Sequence, residues 1–330
     1  MTTSPPTKTS SITLQNIFLA RSKIAPLVQH TPLIESPLLG DGIYLKQESL
    51  QLTGAFKVRG AANKILSLPA KERARGVVTV STGNHGRAVA YVAKSLGVSA
   101  TVCLSRLVPE NKLDALRELG AEVVIHGSSQ DDAAIRAEAL QKERGLTMIH
   151  PFDDPYIIAG QGTLGLELLL DAPELDTVLV PLSGGGLIAG IVLALKSANP
   201  AIRVIGISME HGAAMHASLQ AGHPVEVTEA ESLADSLGGG IRLDNHYTFD
   251  IVRRLVDEVL LVSEDEIAQG MGFAFHEHHL VAEGAGAVGI AALLSNKVTP
   301  SDSDGKTIVI VSGGNVELAS LMTIAQNYRR

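Results

Sequence analysis

The sequence predicts an α/β protein made of two open, twisted, parallel-sheet units with helices on both faces. Three observations lead there. Short β-branched runs alternate with helix-length segments through most of the 330 residues. Several of these runs end in glycine-rich turns that open the next helix. Hydrophobic residues make up 45% of the chain, enough for one large or two moderate cores.

The elements follow in order. Residues 1–12 are polar and proline-bearing, without the apolar run of a signal peptide, and read as a disordered lead-in. GVVTVST (76–82) is a β-branched strand, and HGRAVAYVAKSLG (85–97) a helix stopped by Gly97. SATVCLS (99–105) is a strand, PENKLDALRELG (109–120) a helix and AEVVIHG (121–127) a strand. DDAAIRAEALQKERG (131–145) is a helix closed by glycine, and LTMIHPF (146–152) a strand. The pattern restarts with a helix over 157–170. DTVLVPL (176–182) and IRVIGISM (202–209) are strands flanking the helix that SGGGLIAG opens, and KTIVIVSGGN (306–315) is a late strand. Repeats of this length imply crossover connections and parallel pairing. We expect a small mobile domain over 76–152 and a large one from 13–75 plus 153–330. HPFDDP is the expected hinge, since a residue before proline is pushed out of helix.

Composition narrows the function. The formal charge of −8 argues against nucleic-acid or polybasic membrane partners, and 3% aromatic content with no tryptophan argues against base stacking. No segment has the length of a membrane-spanning helix. The single cysteine, Cys103, lies in an apolar run, so no disulfide framework forms and a cytoplasmic location fits. HEHH (276–279) lacks the spacing of a zinc helix and reads as a solvated face.

Ligands of open parallel sheets sit at the carboxyl ends of strands. Three such ends here carry STGNHG (81–86), SGGGL (183–187) and VSGGN (311–315). Converging backbone amides at SGGGL suit an anion. Taken alone, that loop also fits a simple tight turn or a dinucleotide site, although its spacing is GxGxxxG. Lys57 stands between Phe56 and Val58 in GAFKVRG, an apolar frame unusual for a solvated lysine. A lysine, an anion cup and a polar loop together suggest a phosphorylated cofactor.

GAFKVRGA, STGNHGRA, PFDDPYIIAGQGTLGLE, SGGGLIAG and VSGGN, in that order, resemble the serine/threonine dehydratase group of fold-type II pyridoxal-phosphate (PLP) enzymes, the tryptophan synthase β-like fold. The resemblance implies that Lys57 forms the Schiff base with PLP and acts as general base. It implies that Ser183, Gly184, Gly185, Gly186 and Leu187 cradle the phosphate, and that Asn84 bonds the phenolic oxygen. Phe56 would pack by the ring and Ser312 face the pyridine nitrogen. Ser81, Thr82, Gly83 and His85 would hold the substrate carboxylate, with Phe152 beside it. A serine rather than a carboxylate at 312 suits β-elimination over transamination. Racemases of the group carry serine where Thr82 stands, and Phe152 matches the dehydratase branch, leaving racemisation as the alternative. Relatives bind a divalent cation at positions matching Glu210, Ala214 and His216. An imidazole disfavours such a hard ion, so no metal is expected. SLADSLGGGI (232–241) and SMEHGAAMHASL (208–219) resemble dehydratases of hydroxyectoine utilisation. Gly238, Gly239, Gly240, Glu283 and Ala285 would then shape the pocket wall. The expected reaction is loss of water and ammonia from a β-hydroxy amino acid by a cytoplasmic homodimer.

Overall fold

The computed structural model describes residues 12–328 apart from 82, 109 and 300–304. Thr82 and nearly all of the N-terminal lead-in therefore lie outside the described residues.

The chain opens with α1 (Leu14–Ile24), β1 (Leu33–Glu35), β2 (Ile43–Gln47), α2 (Lys57–Ser67) and α3 (Ala70–Arg75). It continues with β3 (Val77–Val80), α4 (Asn84–Ser95), β4 (Ala100–Leu104), α5 (Glu110–Glu118), β5 (Glu122–Ile125), α6 (Gln130–Arg144) and β6 (Thr147–Met148). Then follow α7 (Pro155–Asp171), β7 (Leu175–Pro181), α8 (Gly186–Ala198), β8 (Arg203–Met209), α9 (Ala214–Ala221) and α10 (Thr248–Leu255). The last elements are β9 (Glu258–Val262), α11 (Glu264–His278), α12 (Gly284–Leu294), β10 (Lys306–Val311) and α13 (Leu318–Asn327).

Local chemistry fixes the boundaries. Ser129 and Ser263 form capping boxes with Asp132 and Glu266 at the starts of α6 and α11, and Gly145 ends α6 in the left-handed region at φ 67°. Asp154 caps α7, with Pro155 at its first position, so this helix starts two residues earlier than its apolar pattern suggested.

The strands make two sheets, β1-β2-β10-β7-β8-β9 and β5-β4-β3-β6. All pairings are parallel except β1 with β2, an antiparallel edge that the strand–helix rhythm did not reveal. Alternate residues of β10 serve opposite cores. Ile308 and Ile310 pack with α7 and α8, while Val309 and Val311 pack with α11 and α12. The smaller sheet is likewise covered by α2, α4 and α5 on one face and α6 on the other, where Cys103 is buried. The expected strand over 146–152 shrinks to two residues, because from His150 onward the chain turns to serve the site. No helix among the described residues is long and apolar enough to cross a membrane.

Candidate active site

Lys57 opens α2, just past Gly54, whose φ of +75° provides the turn. Its ammonium donates to Pro151 O at 3.0 Å and lies 5.1 Å from the Phe56 ring centre. Burial pushes it down to about 8, with the Glu283 carboxylate pulling the other way. At that value roughly a tenth of the amine is neutral at pH 7. Lys57 can therefore act as nucleophile and base near neutrality.

The turn between β7 and α8 supplies an anion cradle. Gly185 sits at φ +86°, and Gly184 and Gly186 lie against Phe152 so closely that a Cβ on Gly184 would overlap its ring. All three glycines and Leu187 are buried. Among the described residues, none of their four N–H groups donates to a protein acceptor. Buried amides normally find partners, and these stand at the positive end of a helix dipole. The cradle fits a phosphate.

Residues 149–154 are the hub of the site. Ile149 O accepts the His85 Nε2 hydrogen and the Thr79 hydroxyl, both at 2.9 Å. His150 Nδ1 accepts the Asp153 N–H at 2.9 Å, Pro151 O takes Lys57, and Phe152 walls the glycine turn. The Asp153 carboxylate accepts the N–H groups of His246, Tyr247 and Thr248 at the start of α10. Asp154 pairs with Lys64. The expected hinge is thus tied on both sides.

The other expected residues fall as follows. Asn84, at the start of α4, is buried and donates to Glu283 Oε1 at 2.7 Å. Burial pushes Glu283 up to about 7, while the Asn84 bond pulls it down. Ser312 is buried at the end of β10, and among the described residues its hydroxyl reaches only Ala285 O, at 3.5 Å. That leaves it nearly unpartnered, as a residue awaiting a ring nitrogen would be. Ser81 Oγ accepts the Gly83 N–H, and Gly83 has open space where a Cβ would stand. His85 is buried and neutral, held down to about 3 by burial and by Lys57. With Nε2–H spent on Ile149 O, its Nδ1 carries a lone pair and offers a carboxylate no hydrogen. Gly239 has φ +92°, and a Cβ built there would meet Glu229 Oε1 at 4.0 Å. The free amides, the half-buried lysine and the near-orphaned hydroxyl fit PLP.

Two parts of the site were not legible in the sequence. Asn315, in VSGGN, donates to Asn84 Oδ1 at 2.7 Å. Two residues along the same helix, Arg59 forks onto Glu48 at 2.7 Å through both Nε and Nη2 and reaches Glu167 at 2.6 Å. Lys46 joins Glu167 and Asp171, both at 2.8 Å, and His30 closes the cluster on Asp171. Burial opposes the charge on Glu48, yet the Arg59 guanidinium holds it below the usual carboxylate range. Arg59 itself, an arginine at the third position of a mostly apolar helix, was the available clue.

The candidate metal positions behave differently. Lys297 places its ammonium 3.7 Å from Glu210 and 2.6 Å from Glu266. Among the described residues no three His, Cys, Asp or Glu side chains converge as a metal set. HEHH is not simply a solvated face. His276 bonds Ala325 O at 2.8 Å and stacks on Tyr328, and His278 bonds Ser36 at 2.7 Å.

Comparison with known proteins agrees with this geometry. Residues 24–314 match the family described as "Pyridoxal-phosphate dependent enzyme". A Sinorhizobium fredii protein provisionally named threonine dehydratase is 53% identical over 313 residues, covering 94% of each chain. An L-threonine ammonia-lyase of Thermotoga maritima is 43% identical, over 93% of this chain and 76% of its own. The solved maize serine racemase superposes with a TM-score of 0.88 at 36% identity, over 94% of this chain and 96% of that one. The dinucleotide reading of SGGGLIAG falls away. With a half-buried lysine of lowered basicity, a glycine turn that fits a phosphate and a match over most of its length, the chain belongs to the pyridoxal-phosphate dependent enzymes of fold-type II.

Proposed function

We propose that this protein is a PLP-dependent ammonia-lyase that removes water from a β-hydroxy amino acid, giving a 2-oxo acid and ammonia. The observation that carries the reading is the half-buried Lys57 ammonium, held by Pro151 O beside the Phe56 ring. The relatives' names, threonine dehydratase and L-threonine ammonia-lyase, point to the same reaction.

When bound, PLP supplies an electron sink that acidifies the substrate Cα–H. Lys57 takes that proton at Nζ as general base, its lowered basicity keeping part of the amine free. Ser183, Gly184, Gly185, Gly186 and Leu187 hold the phosphate through their backbone amides. Phe56 packs by the ring. Ser312 gives the pyridine nitrogen a neutral hydroxyl partner, which disfavours transamination. Ser81, Thr82 and Gly83 bind the substrate carboxylate at the start of α4, while His85 secures that loop to Ile149. Phe152 walls the pocket beside the glycine turn.

Residues 76–152 form the small domain and close over the substrate. The enzyme works as a cytoplasmic homodimer. The narrower substrate is a threonine-like or hydroxyectoine-derived compound, with the 232–241 segment as the selecting loop. A racemase reading rests on the likeness to maize serine racemase.

Borohydride reduction of the holoenzyme, followed by peptide mapping, tests the cofactor assignment. A pyridoxyl group on Lys57 is the expected result, and its absence with excess PLP overturns the reading. Ammonia release across β-hydroxy amino acids then tests the reaction, and inversion without ammonia selects the racemase.

A further inference from the structure

An asparagine amide has two ends of nearly equal shape, so neighbours decide which end meets a ligand. Asn84 is gripped at both. Asn315 Nδ2 donates one hydrogen to Thr53 O at 2.9 Å, which fixes that amide with its nitrogen inward. Its other hydrogen goes to Asn84 Oδ1 at 2.7 Å. Asn84 Nδ2 then donates to Glu283 Oε1, also at 2.7 Å. Turning Asn84 over would set two NH2 groups against each other and a carbonyl against a carboxyl. One Nδ2 hydrogen is left for a ligand.

The glycines of the two flanking motifs make room for this grip. A Cβ on Gly54 would lie 2.5 Å from Asn315 Oδ1, and one on Gly313 would lie 2.5 Å from Glu283 Oε1. Backbone bonds knit the same segments together. Gly314 N–H donates to Gly54 O at 2.9 Å, Glu283 N–H to Gly313 O at 3.0 Å and Phe56 N–H to Ser312 O at 3.0 Å. The arrangement is built, and the reaction as described uses neither Asn315 nor Glu283.

We infer that Asn315 and Glu283 are positioning residues that lock the Asn84 amide with its nitrogen toward the phenolic oxygen of the cofactor. The inference rests on the PLP reading of this site. The charged groups facing Glu283 are Lys57 and Asp235, and Asn84 and the Asn315 backbone N–H donate to it.

The test uses the purified holoenzyme and titrates its cofactor absorbance band with pH, beside cofactor affinity, melting temperature, kcat and KM. Asn315→Ala and Glu283→Ala free one end of the amide. Asn315→Asp keeps the shape of the side chain but presents an acceptor to Asn84 Oδ1, which reverses the amide. Each is expected to raise the midpoint by about one pH unit or more, the size of one hydrogen bond to an ionised oxygen. We expect kcat to fall about tenfold with KM within about twofold, the pattern of a group felt in the transition state. Glu283→Gln retains a carbonyl acceptor and loses the carboxylate charge that favours a protonated Lys57 nitrogen, so its midpoint does not rise. A wild-type midpoint in Asn315→Asp overturns the inference, even if the alanine variants do not fold. A wild-type enzyme with no cofactor band overturns the PLP reading itself.

Discussion

The Lys57 ammonium donates to the carbonyl of Pro151, 94 residues further along the chain, at 3.0 Å. The bond places the reactive amine on the segment that also seats Phe152 under the phosphate cradle and fastens His85. The Lys57 amine, the glycine turn and the loop proposed to bind substrate therefore share one short piece of backbone.

Because burial lowers Lys57 to about 8, covalent capture of PLP by cofactor-depleted protein should follow the neutral amine. The borohydride-trapped yield at Lys57 rises with pH and levels off above about 8. An ordinary lysine would continue to gain through pH 10. Lys57→Ala abolishes both the adduct and ammonia release.

Gly184→Ala puts a methyl into the Phe152 ring. We expect a loss of about 1–3 kcal/mol in denaturant unfolding, as for other overpacked sites, together with weaker cofactor retention. Gly83→Ala, which meets open space, leaves unfolding free energy within about 0.5 kcal/mol.

Arg59→Met removes the cation that the buried Glu48 and Glu167 share. Breaking one side of a buried ionic cluster costs about 3–5 kcal/mol. Chemical denaturation should show that loss, and a partial recovery when Glu48→Gln is added.

Acid should weaken the fold through histidine. His85 and His150 are held neutral, at about 3 and about 4, whereas unfolded imidazoles titrate near 6.5. Between those limits the unfolded chain binds protons that the native chain refuses. This contribution to stability is complete above about 6.5 and drains away as pH falls toward 3. Urea unfolding at pH 7 and pH 5 measures the drop, and His85→Gln makes it shallower.

The strand–helix rhythm, the glycine turns and the framing of Lys57 were legible because each depends on a few neighbouring residues. The three-residue antiparallel β1 was not, and β6 was legible only as a longer strand over 146–152. Pairing partners decide a strand that brief, and its composition does not. The tertiary contact of the exposed His276 was hidden for a related reason: its acceptor lies in α13, 49 residues away.

By itself the sequence determined the parallel architecture, since periodicity and glycine placement are local properties of the chain, and its ordered motifs pointed through family resemblance to Lys57 and the 183–187 turn as the proposed cofactor contacts. Only the tertiary structure decided that Asn84 is held between Asn315 and Glu283, 231 and 199 residues away, and that Arg59 is paired with Glu48 and Glu167. Hydrogen bonds and buried charges need partners within about 3 Å, and sheet order and crossover geometry bring those partners together.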